Sequence, residues 1–217
     1  MLEKIWCYLD EHEYFLLIAS HVIMLVFYPF VIETVHASLW MHLMITLILI
    51  TWLYAANTHE KFVVRTFLLG LAVLVLTWMN YLFVTENLWT LALNIFWLLF
   101  FCVILYNLVI DLHQINEIDQ HMIYGAVAWY LILWLIGAFV FAIIELTLPG
   151  SFSWFSWTEV WFPDFIYYSY VSMTTLGYGD IIPVWYHAQS WSILFTIAWQ
   201  MYLAVLIGML VGKYVRK

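Results

Sequence analysis

Six long apolar runs separated by short polar links organise this chain, at about 14–32, 37–55, 62–84, 88–110, 122–145 and 188–212. Each holds about twenty residues, and at roughly 1.5 Å of rise per residue a helix of that length matches a hydrocarbon core about 30 Å thick. The runs are continuous, without the apolar–polar alternation of barrel strands, so they predict spanning helices. The first four are joined by links as short as Glu33-Thr34-Val35-His36 and Thr85-Glu86-Asn87. A longer polar stretch, 111–121, carries Leu112, Ile115 and Ile118 on one helical face, which predicts a short amphipathic connector along the membrane surface. The chain therefore divides into a four-helix transmembrane part (1–110), a linker (111–121) and a C-terminal part (122–217).

The segment 146–187, between the fifth and sixth runs, follows a different pattern. Pro149-Gly150 precedes an aromatic-rich stretch from Phe152 to Phe162, and then come Pro163 and Asp164. Proline in the first turn and an acid beside it favour a helix start. The helix predicted over 163–174 is about 18 Å long, too short to cross a bilayer. It enters from one face, and the chain returns through Thr175–Gly179. An extended segment at membrane depth loses the water that satisfies its peptide groups. It is tolerated only where protein surrounds it or where it lines an aqueous path.

Composition agrees with the helical pattern. Of 217 residues, 67% are hydrophobic and 9% charged, and the mean hydropathy is +0.97, which excludes a water-soluble domain. With six spans both termini share one side. All six basic residues, Lys4, Lys61, Arg65, Lys213, Arg216 and Lys217, fall on that side, so the termini are expected in the cytoplasm of a multi-pass cell-membrane protein. The opposite loops carry Glu33, Glu86, Glu145, Glu159, Asp164 and Asp180. Such an acidic face is either a solvated surface or a device that concentrates cations near a pore. The net charge of -8 is a local effect of these loops, and no nucleic-acid partner is expected. Cys7 and Cys102 suggest no disulfide framework. No cleavable signal peptide is expected, since Asp10, Glu11 and Glu13 precede the first run.

The return segment supplies the chemistry. Gly177 and Gly179 permit backbone shapes that bring successive carbonyls to one side. Carbonyl rings can replace the water that a potassium ion sheds. One chain offers one oxygen per ring, so one filter per chain predicts a homotetramer with fourfold symmetry. The run Thr174-Thr175-Leu176-Gly177-Tyr178-Gly179-Asp180 resembles the signature of the potassium channel superfamily, with Leu176 where valine is usual. The resemblance extends over about 122–217 and marks that part as a pore domain. It implies an all-α membrane protein of six transmembrane helices, with a re-entrant pore helix and an extended selectivity filter between helices five and six. It also implies that the ion-binding run is Thr175, Leu176, Gly177, Tyr178 and Gly179. The carbonyls of Thr175, Leu176, Gly177 and Tyr178, with the Thr175 hydroxyl, would hold K+, the one ligand expected. Thr174 and Asp180 would support the filter, and Tyr178 would pack behind it with Asp180. Val171 stands where some bacterial members carry a glutamate, and Tyr167 and Tyr168 replace the usual tryptophan pair.

On the last run, Thr196 and Gln200 share a face that continues through Leu203, Ile207 and Val211. That stripe predicts a wet cavity above a dewetting gate; alternatively, Gln200 bonds a neighbouring helix. The stretch 200–212 is similar to the last helix of bacterial two-helix-pore channels, with Trp199 at a common hinge-glycine position. Gly208 or Gly212 could bend instead, or the filter itself could be the gate. The run 88–110 has no charged residue, so no intrinsic voltage sensing is expected. His21 and His42 are read as packing residues with a proton or metal role as the alternative, and His187 as a candidate pH-titrating group. Trp154, Trp157 and Trp161 are expected to form a collar over the pore helix. With no cytoplasmic ligand-binding domain expected beyond the last run, regulation would come through lipid, the filter or a separate subunit. The basic tail 213–217 would meet anionic headgroups. The reading is a potassium-selective channel. A weakly selective cation channel and the ion-translocating subunit of a K+ uptake transporter remain the alternatives. No nucleophile–base pair, phosphate loop or metal cluster suggests an enzyme.

Overall fold

The computed structural model describes residues 13–32, 36–55, 63–83, 87–114, 120–154 and 162–215. Helices occupy every place where the apolar pattern predicts one: α1 (Glu13–Ile32), α2 (Ala37–Ala55), α3 (Val63–Phe83), α4 (Asn87–Gln114), α5 (Gln120–Thr147), the short α6 (Phe162–Met173) and α7 (Tyr186–Val215). Strand β1 (Phe152–Trp154) lies between α5 and α6, and strand β2 (Ile181–Pro183) between α6 and α7. Four helices hold apolar stretches long enough to cross a membrane: Val64–Phe83, Leu88–Asn107, Ile123–Thr147 and Tyr186–Gly208. In α1 and α2 the described apolar stretches are shorter, Tyr14–Phe27 and Ser38–Tyr54. The expected linker is largely absorbed by its neighbours. Asp111–Gln114 continue α4, Gln120 and His121 open α5, and 115–119 lie outside the described residues.

The chain forms two compact units. The first contains residues up to Trp89 with Cys102–Leu131. Its helices are joined by polar pairs of the kind that hold apolar helices together in lipid. Ser20 and Thr51 pair their hydroxyls across α1 and α2 at 3.0 Å. The Trp78 indole N–H donates to Thr46 Oγ1 at 3.2 Å, and Asn107 Nδ2 donates to Thr66 Oγ1 at 3.2 Å. His21 is fully buried, its Nδ1 bonded to the Leu17 carbonyl and its ring edge-on to Trp52. His42 bonds the Ser38 carbonyl and lies 4.8 Å from the ring of Tyr81. Both histidines therefore sit in packed, locally bonded positions. Gly125 of α5 faces the Tyr14 ring of α1, which would stand at ordinary contact distance, 3.5 Å, from a Cβ placed there.

The second unit contains Thr90–Phe101 with Ile132–Lys217. Its core is aromatic and centres on α5. Phe141 touches Phe152, Tyr168 and Phe195. Trp134 meets Tyr170 at 4.0 Å and Trp199 at 5.4 Å. Trp199, where a hinge glycine is common, is buried in this cluster. Gly137 allows a tight contact between α5 and α6. A Cβ there would lie 2.4 Å from Met173 Cε and 2.6 Å from Ser169 Oγ, and that hydroxyl donates to the Trp134 carbonyl at 2.7 Å.

The two strands pair antiparallel, Phe152 opposite Pro183 and Trp154 opposite Ile181. Glu145, in the last turn of α5, organises this hairpin. Its Oε1 accepts the Gly150 N–H at 2.7 Å and its Oε2 the Phe152 N–H at 3.1 Å. Gly150 adopts a positive φ of 83°, which glycine allows without strain. The Ser151 carbonyl then accepts the Val184 N–H at 2.8 Å, and Gln189 Nε2 donates to the Val184 carbonyl at 3.1 Å. The segment leaving the return loop is thus tied both to α5 and to the start of α7.

The contact at Gly137 yields a direct test. In Gly137→Ala the Met173 methyl can swing aside, but Ser169 must leave its bond to Trp134. Overpacking of this kind costs about 1–3 kcal/mol. Thermal unfolding of the detergent-solubilised protein should show a lower midpoint for Gly137→Ala. A midpoint at or above wild type would mean that α5 and α6 are looser than described.

Candidate functional site: the return loop after α6

Helix α6 is twelve residues long and amphipathic in its burial. Pro163, Phe165, Ile166, Tyr168, Ser169 and Met173 face inward, while Tyr167 is exposed. Tyr168 bonds the Ser192 hydroxyl of α7 at 2.8 Å, and Ser169 bonds α5. The helix is therefore gripped on both sides, and its C-terminus ends at a defined point. The partial negative charge of a helix C-terminus, roughly half an elementary charge, favours a cation there.

The loop begins inside the last helical turn. Thr174 donates through its N–H (2.9 Å) and its hydroxyl (2.7 Å) to the Tyr170 carbonyl. The next two bonds set the geometry of the loop. The N–H groups of Leu176 and Gly177 both donate to the Val171 carbonyl, at 3.1 and 3.2 Å. A trans peptide points its carbonyl opposite to its N–H, and no cis peptide occurs here. The carbonyls of Thr175 and Leu176 are therefore both turned away from α6. An ordinary strand would alternate them. The backbone achieves this by alternating handedness: φ is +63° at Thr175, +56° at Gly177 and +77° at Gly179, while Leu176 and Tyr178 between them keep negative φ. The glycines accept this readily, whereas Thr175 is a β-branched residue in a sparsely populated region. Residues 175–180 are exposed in the single chain.

Asp180 closes the loop. Its Oδ1 accepts its neighbour Ile181's N–H at 3.1 Å, and its Oδ2 accepts the Tyr167 hydroxyl at 2.5 Å. Desolvation and then the Asp180 carboxylate push the Tyr167 hydroxyl up to about 12. A raised value for a phenol means that the neutral donor is the bound form. The clip is intact below the ordinary value of 10 and weakens as pH rises from there through 12.

The cavity residues lie along α7. Gln200 Nε2 donates to the Met173 carbonyl at 3.4 Å, which places the amide at the foot of α6. Thr196 turns its hydroxyl back to the Ser192 carbonyl, Leu203 is partly buried and Ile207 is exposed. Val211 belongs to α7, but its side chain lies outside the described ones. Trp154 contributes backbone to β1, and Trp157 and Trp161 of the expected collar lie outside the described residues. His187 is exposed at the start of α7. Among the described residues, no cluster of His, Cys, Asp or Glu could hold a metal ion.

Two features of this site escape sequence reasoning. One is the left-handed Thr175, since threonine carries no signal for it. The other is the Tyr167–Asp180 bond, which needs a fold to bring together groups thirteen residues apart. Removing the Tyr167 hydroxyl takes away a hydrogen bond to a charged acceptor, worth about 1 kcal/mol at an exposed position. Tyr167→Phe should keep the fold and loosen the loop. Amide hydrogen exchange should then be faster at residues 176–181 and unchanged in α5, and equal exchange in the loop would contradict the clip.

Residues 129–217 match the family described as "Ion channel". No curated protein sequence and no solved structure matches the chain. The matched stretch contains most of α5, the hairpin, α6, the return loop and α7. A membrane protein with apolar helices of spanning length and a peptide loop at the end of a half-length helix is consistent with that description. The segment 129–217 is accordingly similar to an ion-channel family, in line with the resemblance carried by the run 174–180.

Proposed function

We propose that this chain is one subunit of a homotetrameric, potassium-selective channel of the cell membrane. One observation carries the reading: the loop after α6 alternates left- and right-handed residues through 175–179 and turns the carbonyls of Thr175 and Leu176 to the same side. In the proposed assembly, four such loops surround a common axis. The carbonyls of Thr175, Leu176, Gly177 and Tyr178 and the Thr175 hydroxyl then replace the hydration shell of K+. Gly179 completes the run, and Thr174 and Asp180 hold its two ends.

The surface of α7 supports the tetramer. Only 11% of its apolar window is buried within the chain, against 67% for α5. Gln200 is exposed in the middle of that helix. A primary amide facing lipid is costly, so it faces a partner or water. In the proposed arrangement α7 lines the axis. Thr196 and Gln200 sit at a water-filled cavity, and Leu203, Ile207 and Val211 lie below as the apolar closure. All six long helices cross the bilayer, both termini are cytoplasmic, and α4, which has no charge over 88–110, senses no voltage.

Purified protein in liposomes should pass K+, exclude Na+ and be blocked by barium. In planar bilayers with symmetric K+ its conductance should change little with voltage. Equal Na+ and K+ permeation would favour a weakly selective cation channel, and no flux would end the reading. The gate has its own test. Ile207→Asp should wet the closure and raise open probability, and an unchanged value would move the gate to the filter.

A further inference from the structure

Beyond the pore itself, the first four helices have no assigned task, and α4 makes a contact that suggests one. Trp97 of α4 is almost fully buried and lies parallel to Phe139 of α5, with ring centroids 5.7 Å apart and 9° between planes. Phe101, one turn further, also meets Phe139, at 5.8 Å. Phe139 also meets Phe162, 4.6 Å away and tilted by 35°. Phe162 is the first residue of α6, the helix whose opposite end runs into the return loop. Three elements are thus linked by one aromatic stack, with Phe139, itself buried, as the shared ring.

Helix α6 behaves as a lever about 18 Å long. Its far end is pinned to α5 by the tight fit of Met173 and Ser169 against Gly137. Its near end rests on Phe139, and Phe139 is backed by Trp97. Packed aromatic interiors have two-sided contacts and little give. A shift of Trp97 is therefore passed to Phe162, and the tilt of α6 moves the Val171 carbonyl that orients the loop. The contact is made within one chain, and only five residues, 115–119, separate α4 from α5.

We infer that Trp97 is a positioning residue for the ion filter: through Phe139 and Phe162 it braces the pore helix of its own subunit, so that α4 acts on selectivity at the outer end of the pore. This rests on the channel reading above. The test uses full-length wild type, Trp97→Phe and Trp97→Ala in liposomes and planar bilayers. Readouts are the Na+/K+ permeability ratio and the rate of current decay in low external K+. Trp97→Ala should raise the permeability ratio about threefold or more, the size expected of coupled neighbours, and should speed the decay. High external K+ should slow that decay again. Trp97→Phe keeps a flat ring and should stay near wild type, as should Trp40→Ala, which removes an exposed ring of α2. If the alanine variant does not assemble, Trp97→Leu and Phe162→Leu are made singly and together. Non-additive effects on the permeability ratio support the brace, and additive ones overturn it. A conducting Trp97→Ala with wild-type ratio and decay also overturns it. A wild-type protein that passes no K+ removes the channel reading itself, and the inference with it.

Discussion

One carbonyl sets the shape of the site. The oxygen of Val171, at the end of α6, accepts two consecutive peptide N–H groups, from Leu176 and Gly177. Because peptides are planar and trans, fixing two donors on one side fixes two acceptors on the other. That is an unusual state for an extended chain, and it depends on Val171 staying where it is. The rest of the C-terminal unit serves this end. Ser169 and Met173 lock α6 against Gly137, Tyr168 ties it to Ser192 of α7, and the aromatic cluster around Phe141 fills the space behind. Downstream, Asp180 is held by Tyr167, and the hairpin set by Glu145 holds the residues after it. The loop is supported from both ends and from behind, while its carbonyl side is left open.

Much of this was legible in the sequence, because apolar run length maps directly onto helix length in a membrane protein. The runs at 37–55 and 188–212 correspond to helices at Ala37–Ala55 and Tyr186–Val215. The short helix after Pro163 begins one residue earlier than the proline rule predicts, at Phe162. The loop was marked by Gly177 and Gly179, since glycine at alternate positions is a backbone signal. The illegible parts are those in which residues distant in sequence meet. The strand pair 152–154 with 181–183 joins residues 27 to 31 positions apart and has only three residues on each side, too few for a periodicity to register. Glu145 read as one more acidic loop residue, and only the fold reveals that its two oxygens hold two peptide N–H groups. The amphipathic pattern at 112, 115 and 118 is real, but helix α4 simply runs on through its first part to Gln114.

The two compact units use different cohesive forces. The first relies on scattered hydroxyl, amide and imidazole contacts between apolar helices, such as Ser20 with Thr51 and Asn107 with Thr66. The second relies on interlocked aromatic rings. In lipid the hydrophobic effect does little to hold helices together, so directional polar contacts and close packing must do so. Aromatic stacks suit the region around the loop, since flat, stiff rings leave few alternative arrangements.

The two bonds to Val171 are made entirely within one polypeptide, and so is the left-handed turn at Thr175. A non-glycine residue in that region costs about 1–3 kcal/mol and persists only when its surroundings impose it. Here those surroundings belong to the same subunit. A monomer can therefore carry the finished curve of its loop by itself. In the proposed tetramer, association would then be the docking of ready-made parts, with little ordering entropy left to lose at the moment of encounter.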